Sequence, residues 1–181
     1  MLSYFCYCAV ENTTLLWGAS YFVSARGFST VAAAQAASVF VLGITVGRFL
    51  CGFASARLSS SVLILGGGAL AALGAAGMAL LPASLGPAAL CVVGLGFAPA
   101  YPCMMHETPR RFGATRSQGV ISLQMAAAYV GNVCMPPLFG LLAAQVGMWL
   151  LPVFLLCGVA GYAACTACLA RWVRTRPEAP Q

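Results

Sequence analysis

Two polar residues interrupt the first apolar segment of this chain. Glu11 and Asn12 lie near the middle of the stretch from Leu2 to Val23, in a sequence that is 61% hydrophobic and 7% charged. An acidic side chain at membrane depth costs roughly 2.5–3.5 kcal/mol on insertion scales, and such residues commonly mark a pathway for an ion or a substrate. Glu11 therefore indicates a polar site whose carboxyl group could bind a proton or hold a polar solute.

Helical spacing extends this site to other residues. Thr14, Gly18 and Tyr21 follow Glu11 at steps of three or four, so we expect them on one face of a helix. A second polar face of this kind ends at Asn132. The predicted pathway residues are Glu11, Asn12, Trp17, Tyr21, Gln35, Tyr101, Gln124 and Asn132.

The composition indicates that lipid, not water, surrounds most of the chain. A soluble domain carries about a quarter charged residues, whereas this chain has nine arginines, no lysine, no aspartate and three glutamates. The formal charge of +6 does not indicate nucleic-acid binding, because the arginines form no basic stripe and no recognisable module.

A membrane-spanning helix needs about 20 mostly apolar residues. The sequence predicts an all-α membrane protein with a six-helix bundle over residues 1–172 and a short cytoplasmic tail over 173–181. The predicted spans are residues 2–24, 30–52, 62–82, 87–105, 119–142 and 149–170.

The arginines predict the orientation of the bundle. Eight of them flank the breaks after spans two and four or follow span six, and only Arg26 lies on the other side. Because cytoplasmic loops are enriched in Lys and Arg, we expect both termini in the cytoplasm and the bundle in a plasma (inner) membrane. The eight are Arg48, Arg57, Arg110, Arg111, Arg116, Arg171, Arg174 and Arg176.

Polar residues are unevenly distributed among the predicted spans. The third and sixth are almost wholly apolar, the first, second and fifth carry polar faces, and Pro99 and Pro102 interrupt the fourth. This distribution suits two three-helix units related as a 3+3 inverted repeat. Polar groups in spans also bond across helix contacts at about 0.6 kcal/mol each, which is the competing interpretation for Gln35, Ser38 and Thr45.

Neither a cofactor, a metal site nor an enzyme is expected. The nine cysteines lie mostly in apolar runs, as packing residues do. An intramembrane protease needs a buried nucleophile and base at bonding distance. The one histidine, His106, falls in a predicted cytoplasmic loop, and no Gly-x-Ser-Gly element or intramembrane aspartate occurs.

The segment from Leu42 to Arg57 resembles the loop after the eighth helix of the Major Facilitator Superfamily, whose motif contains a Gly, an Asp-Arg pair and further basic residues. Gly52 and Arg57 match, whereas Ala56 stands at the Asp position and two serines, Ser59 and Ser60, replace the later Gly and basic positions. The predicted cytoplasmic gating residues are Gly47, Arg48, Gly52, Arg57, Arg110 and Arg111.

Three further segments, 11–21, 94–113 and 124–140, are similar to the seventh, tenth and eleventh helices of fucose-permease-like sugar:proton symporters. The resemblance implies helices seven to twelve, the C-terminal half of a transporter, with a lining role for residues that include Glu11, Asn12, Trp17, Gln124 and Asn132. It also implies a second six-helix half, identical or different, and a small polar substrate such as a sugar. A non-transporting scaffold or a transporter remnant is the alternative.

Overall fold

The computed structural model describes the backbone of residues 1–112 and 114–174, and the side chains of 1–109 and 117–168. Within these ranges the regular elements are helical and no strand occurs, which confirms the predicted fold class. Short one-turn helices at Ala83–Leu85 and Met148–Leu150 join longer ones. The long helices are α1 (Leu2–Arg26), α2 (Thr30–Ala54), α3 (Ser60–Leu80), α4 (Gly86–Phe97), α5 (Ala100–Phe112), α6 (Ala114–Val146) and α7 (Leu151–Arg174).

Five segments among the described residues are long and apolar enough to cross a membrane, and they correspond to the predicted spans two to six. Helix α1 is not one of them. It has 25 residues, which gives a length of roughly 37 Å, but its polar side chains make it less apolar than the others. The five are Thr30–Ala54, Ser60–Leu80, Ala83–Pro109, Ser117–Val146 and Met148–Cys168.

The predicted fourth span is two helices, and the polar loop predicted after it is wrong. Helix α4 ends before Pro99, because a proline has no N–H to donate and its ring crowds the preceding turn. Helix α5 then continues to Phe112 and places His106 on a helix. The backbones of Arg110 and Arg111 belong to α5 as well, but their side chains lie outside the described residues.

Helix α1 packs against α2, α6 and α7, which cover its polar residues. Thr13 and Thr14 are fully buried, and the Thr14 hydroxyl donates to the Val10 carbonyl oxygen at 2.7 Å. Helix α4 contacts both α2 and α3, and α3 also contacts α7. Helix α1 is therefore surrounded by protein on several sides rather than by lipid.

Glycines bring α4 close to its two neighbours. A Cβ atom at Gly43 of α2 would lie 2.5 Å from the Cys91 carbonyl oxygen, and one at Gly67 of α3 would lie 2.5 Å from that of Gly96. Helix contacts in membranes depend on this kind of close packing between small residues. Gly74 of α3 allows the same close approach, whereas Gly66 has open space beside it.

Arg26, near the end of α1, is bound to the end of α3. Its guanidinium donates to the Tyr21 hydroxyl at 2.9 Å, to the Leu81 carbonyl at 3.1 Å and to the Met78 carbonyl. The carbonyls at a helix C-terminus carry partial negative charge that favours a cation. The guanidinium also lies 5.7 Å from the centre of the Tyr21 ring. Arg26 thus joins α1 to α3 at this end of the bundle.

Replacing Arg26 with glutamine removes these contacts. We expect the free energy of unfolding to fall by about 2 kcal/mol, since a hydrogen bond to a charged group contributes about 1.5–3 kcal/mol. Thermal unfolding of the detergent-solubilised chain measures this loss. The control is Arg57→Gln, at an exposed position in the turn after α2; an equal effect of both substitutions would contradict the assignment.

Candidate functional site

Glu11 is paired with an arginine of the next helix. Its Oε1 lies 3.4 Å from Nη2 of Arg48, and the two side chains are 20% and 50% exposed. The sequence placed Arg48 beside the break after the second span, but it lies inside α2, six residues before Ala54. Opposite charges in a low-dielectric region partly offset each other's desolvation cost. The pair explains how this carboxylate is held within the helix bundle.

A cavity of about 250 Å³ surrounds this ion pair. It presents a carboxylate, a guanidinium, two amides and two phenols, and the two formal charges cancel. Such a wall can donate and accept several hydrogen bonds without favouring either sign of charge. The lining residues are Tyr7, Cys8, Glu11, Asn12, Leu15, Arg48, Tyr101 and Asn132.

The structure brings together four of the eight predicted pathway residues at this cavity: Glu11, Asn12, Tyr101 and Asn132. Tyr7, Cys8 and Leu15 were missed. Tyr7 and Leu15 stand four residues before and after Glu11, and a helix places such neighbours on one face. The four-residue spacing from Glu11 could therefore have identified Tyr7 and Leu15 from the sequence.

Asn12 supplies a hydrogen-bond donor that the backbone of α6 lacks. Pro136 has no N–H, so the carbonyl of Asn132, four residues earlier, lacks its usual helical donor. The side-chain amide of Asn12 donates to this carbonyl at 2.9 Å. Asn12 therefore has a structural bond across α1 and α6 in addition to its place on the cavity wall.

Trp17 also binds α6 near its two prolines. Its indole Nε1 donates to the Pro136 carbonyl at 2.9 Å, and its ring packs edge-on against Phe139. Gly140 makes room, since a Cβ atom there would lie 2.6 Å from the indole ring. Trp17 is not among the residues that line the cavity, although the sequence predicted it there.

The other predicted pathway residues lie elsewhere. The Tyr21 hydroxyl donates to the Met78 carbonyl at 2.8 Å, at the end of α3. Gln124 of α6 accepts from the Thr108 hydroxyl at 3.1 Å and so contacts α5. Gln35 is exposed on α2. None of these three borders the ion pair.

The exposed face of α2 mixes apolar and polar side chains. Its members recur at steps of three or four, and the hydroxyls of Ser38 and Thr45 donate to carbonyls of α2 itself, at 3.0 and 2.9 Å. Within the described residues these two hydroxyls therefore bond to their own helix rather than to another. This face, called here the α2 face, consists of Val31, Gln35, Ser38, Leu42, Thr45 and Phe49.

Arg48 also borders a second cavity of about 300 Å³, near the end of α2. Of the other predicted gating residues, Gly52 lines this cavity and Arg57 is exposed beyond α2. Gly47 is buried, and a Cβ atom there would lie 2.5 Å from that of Ala98. Arg48 thus lines both cavities. The second cavity is lined by Arg48, Cys51, Gly52, Ser55, Ser60, Pro102, Cys103 and His106.

Comparisons with known proteins agree on one family. The family model of the Major Facilitator Superfamily matches residues 1–181. Among solved structures, the chain resembles FucP, described as a Major Facilitator Superfamily transporter in the outward conformation, with a TM-score of 0.75 and 19% sequence identity. The match covers 98% of this chain and 41% of FucP, so the chain spans less than half the length of that structure. No curated protein matches.

The bond from Asn12 to the Asn132 carbonyl can be tested with a double-mutant cycle. Asn12→Leu removes the donor and should lower the free energy of unfolding by about 1–3 kcal/mol, the cost of an unsatisfied buried acceptor. Pro136→Ala restores a backbone N–H, so Asn12→Leu should cost much less in that background. Chemical or thermal unfolding measures all four chains, and equal costs in both backgrounds would contradict the proposed compensation.

Proposed function

Because this chain belongs to the Major Facilitator Superfamily and is an integral multi-pass membrane protein, we propose that it forms the C-terminal half of a secondary transporter. Its family consists of transporters rather than enzymes. In the proposal, six spans arranged as a 3+3 inverted repeat, with α1 as the first, line one side of a pathway for a small polar solute such as a sugar. The chemistry of the cavity around Glu11 and Arg48 carries the proposal.

A neutral polyhydroxylated solute suits this wall. Hydroxyl groups both donate and accept hydrogen bonds, and the wall offers acceptors at Glu11 and donors at Arg48, with the phenol and amide groups capable of both. The charges of the ion pair cancel, so neither a cation nor an anion is favoured by net charge. Leu15 adds an apolar contact for the carbon face of a sugar ring.

The proposal includes a second six-helix half, identical or different, that covers the α2 face. Gln35 is exposed there, where lipid would offer its side-chain amide no partner, whereas the Ser38 and Thr45 hydroxyls already bond to carbonyls of α2. In transporters of this kind the substrate lies between two halves near the bilayer midplane. The chain spans only 41% of FucP, and a second half would supply the opposite wall.

Proton coupling is proposed through the same ion pair. A protonated Glu11 is neutral and would hold Arg48 by a weaker bond, which would free the guanidinium for the solute. The two cavities share Arg48, so its release would alter both.

The alternative function is a non-transporting scaffold or a transporter remnant, and the altered motif at Ala56, Ser59 and Ser60 is the observation in its favour. The ion pair within a polar cavity favours the transporter.

Uptake by the assembled transporter tests this function. Vesicles containing the full chain and its partner half are given radiolabelled neutral monosaccharides over a range of external pH. Glu11→Gln cannot ionise, so we expect uptake to lose its pH dependence and to fall by about tenfold, as loss of about 1.4 kcal/mol of interaction predicts. Gln145→Ala, at an exposed position of α6 that borders neither cavity, is the control, and an unchanged rate and pH profile in Glu11→Gln would contradict the role of Glu11.

Chemical labelling tests whether the α2 face borders water. In a chain whose exposed cysteines Cys134, Cys157 and Cys168 are replaced by serine, Thr45→Cys should react with a membrane-impermeant thiol reagent and Leu73→Cys should not. Leu73 is a matched control because it is 68% exposed on the apolar helix α3. Saturating solute should slow the reaction at position 45. Equal, slow labelling at both positions would place the α2 face in lipid.

A further inference from the structure

Two cysteines from different helices face each other within the bundle. The Sγ atoms of Cys51 on α2 and Cys103 on α5 lie 3.9 Å apart, although the residues are 52 positions apart in the chain. Both side chains are mostly buried, with 7% and 4% exposed, and both are reduced. The sequence favoured simple packing for every cysteine, but contact between two thiols also makes oxidation chemistry available to them.

Both thiols border the second cavity, which gives a small reagent access to them. This cavity has a volume of about 300 Å³, whereas a water molecule occupies about 30 Å³ in the liquid. Ser55, Ser60 and His106 contribute polar groups to its wall, and Arg48 contributes a positive charge. A polar molecule little larger than water can therefore reach sulfur atoms that the protein otherwise covers.

We propose that Cys51 and Cys103 form a peroxide-sensitive dithiol that oxidises to a disulfide joining α2 to α5. This inference does not depend on the proposed transport function, because it rests on the thiol contact and on the cavity beside it. The oxidant is hydrogen peroxide, which is small enough for the cavity.

The reaction balances in two steps. In the first, the sulfur of one cysteine attacks a peroxide oxygen, the O–O bond breaks, and a sulfenic acid and one water are formed. In the second, the sulfur of the other cysteine attacks the sulfenic sulfur, the S–O bond breaks, and a second water leaves with the remaining thiol proton. Two thiols lose two electrons and two protons in total, and one peroxide is reduced to two waters.

The geometry favours the second step. A sulfenic acid is captured quickly when a second thiol is already in contact with it, and the folded chain holds the sulfurs at 3.9 Å. A disulfide needs about 2.05 Å between the sulfurs, so rotation of the side chains or a small helix movement must bring them closer. Arg48 stands one turn before Cys51. A bond at this point would thus restrain the helix that carries the ion pair.

Peptide mapping tests the proposal on the full chain in detergent or nanodiscs. The chain is treated with hydrogen peroxide, free thiols are blocked, and the product is cut after arginine. Cys51 is then the only cysteine of the fragment 49–57, and Cys103 shares the fragment 58–110 with Cys91. We expect a reductant-sensitive link between these two fragments, formed at least about tenfold faster in the folded chain than in the denatured chain.

Matched variants assign the bond. Cys91→Ser should keep the link, and Cys103→Ser and Cys51→Ser should each abolish it while circular dichroism shows the same helix content. Cys91 suits this purpose because it is partly buried on the neighbouring helix α4. The proposal is overturned if no link forms in the folded chain, if the link forms equally fast after denaturation, or if the two thiols oxidise only to sulfinic acids.

Discussion

The bundle depends on one constraint: a polar group inside a membrane needs a partner within the protein, because the hydrocarbon offers none. Helix α1 carries more such groups than its neighbours, and contacts with other helices satisfy several of them, although the buried Thr13 hydroxyl has no hydrogen-bond partner among the described residues. Glu11 forms an ion pair with Arg48 on α2. Asn12 and Trp17 donate hydrogen bonds to carbonyls of α6, and Arg26 donates to carbonyls at the end of α3. These bonds fix the rotation of α1 and make it the organising helix.

The prolines of α6 show how this constraint positions the cavity. Pro136 leaves the Asn132 carbonyl without its helical donor, and the amide of Asn12 supplies one. The residue next to Asn12 is Glu11, so the bond that repairs α6 also sets the place of the carboxylate opposite Arg48. The hydrogen bond that compensates for Pro136 in α6 thereby also helps to position the carboxylate on α1. Arg48 borders both the cavity of the proposed pathway and the cavity beside the thiol pair.

Much of the site was predictable from residue type and spacing. A glutamate in an apolar run identified Glu11, and its neighbours Asn12, Tyr101 and Asn132 do line the cavity. Trp17 and Tyr21 were misplaced because helical spacing shows which residues share a face but not which neighbouring helix that face meets. Arg48 was assigned to the end of the span because charge usually marks a boundary, and a partly buried partner 37 positions away cannot be read from a linear pattern. Likewise, the polar stretch after the fourth span looked like a loop, but α5 covers it as far as Phe112.

By itself the sequence determined the solvent and the element type: scarce charge and long apolar runs require lipid, and a chain in lipid with these run lengths must be helical. It also carried the motifs that the family match later bore out. Only the tertiary structure decided which groups meet: the Glu11–Arg48 pair, the repair of α6 by Asn12, and the contact between Cys51 and Cys103. The physical reason is the distance along the chain over which each property acts. Hydrophobicity and helix formation are local properties of a segment, whereas a bond between side chains on two helices depends on the rotation and crossing of both, which packing of the whole bundle sets.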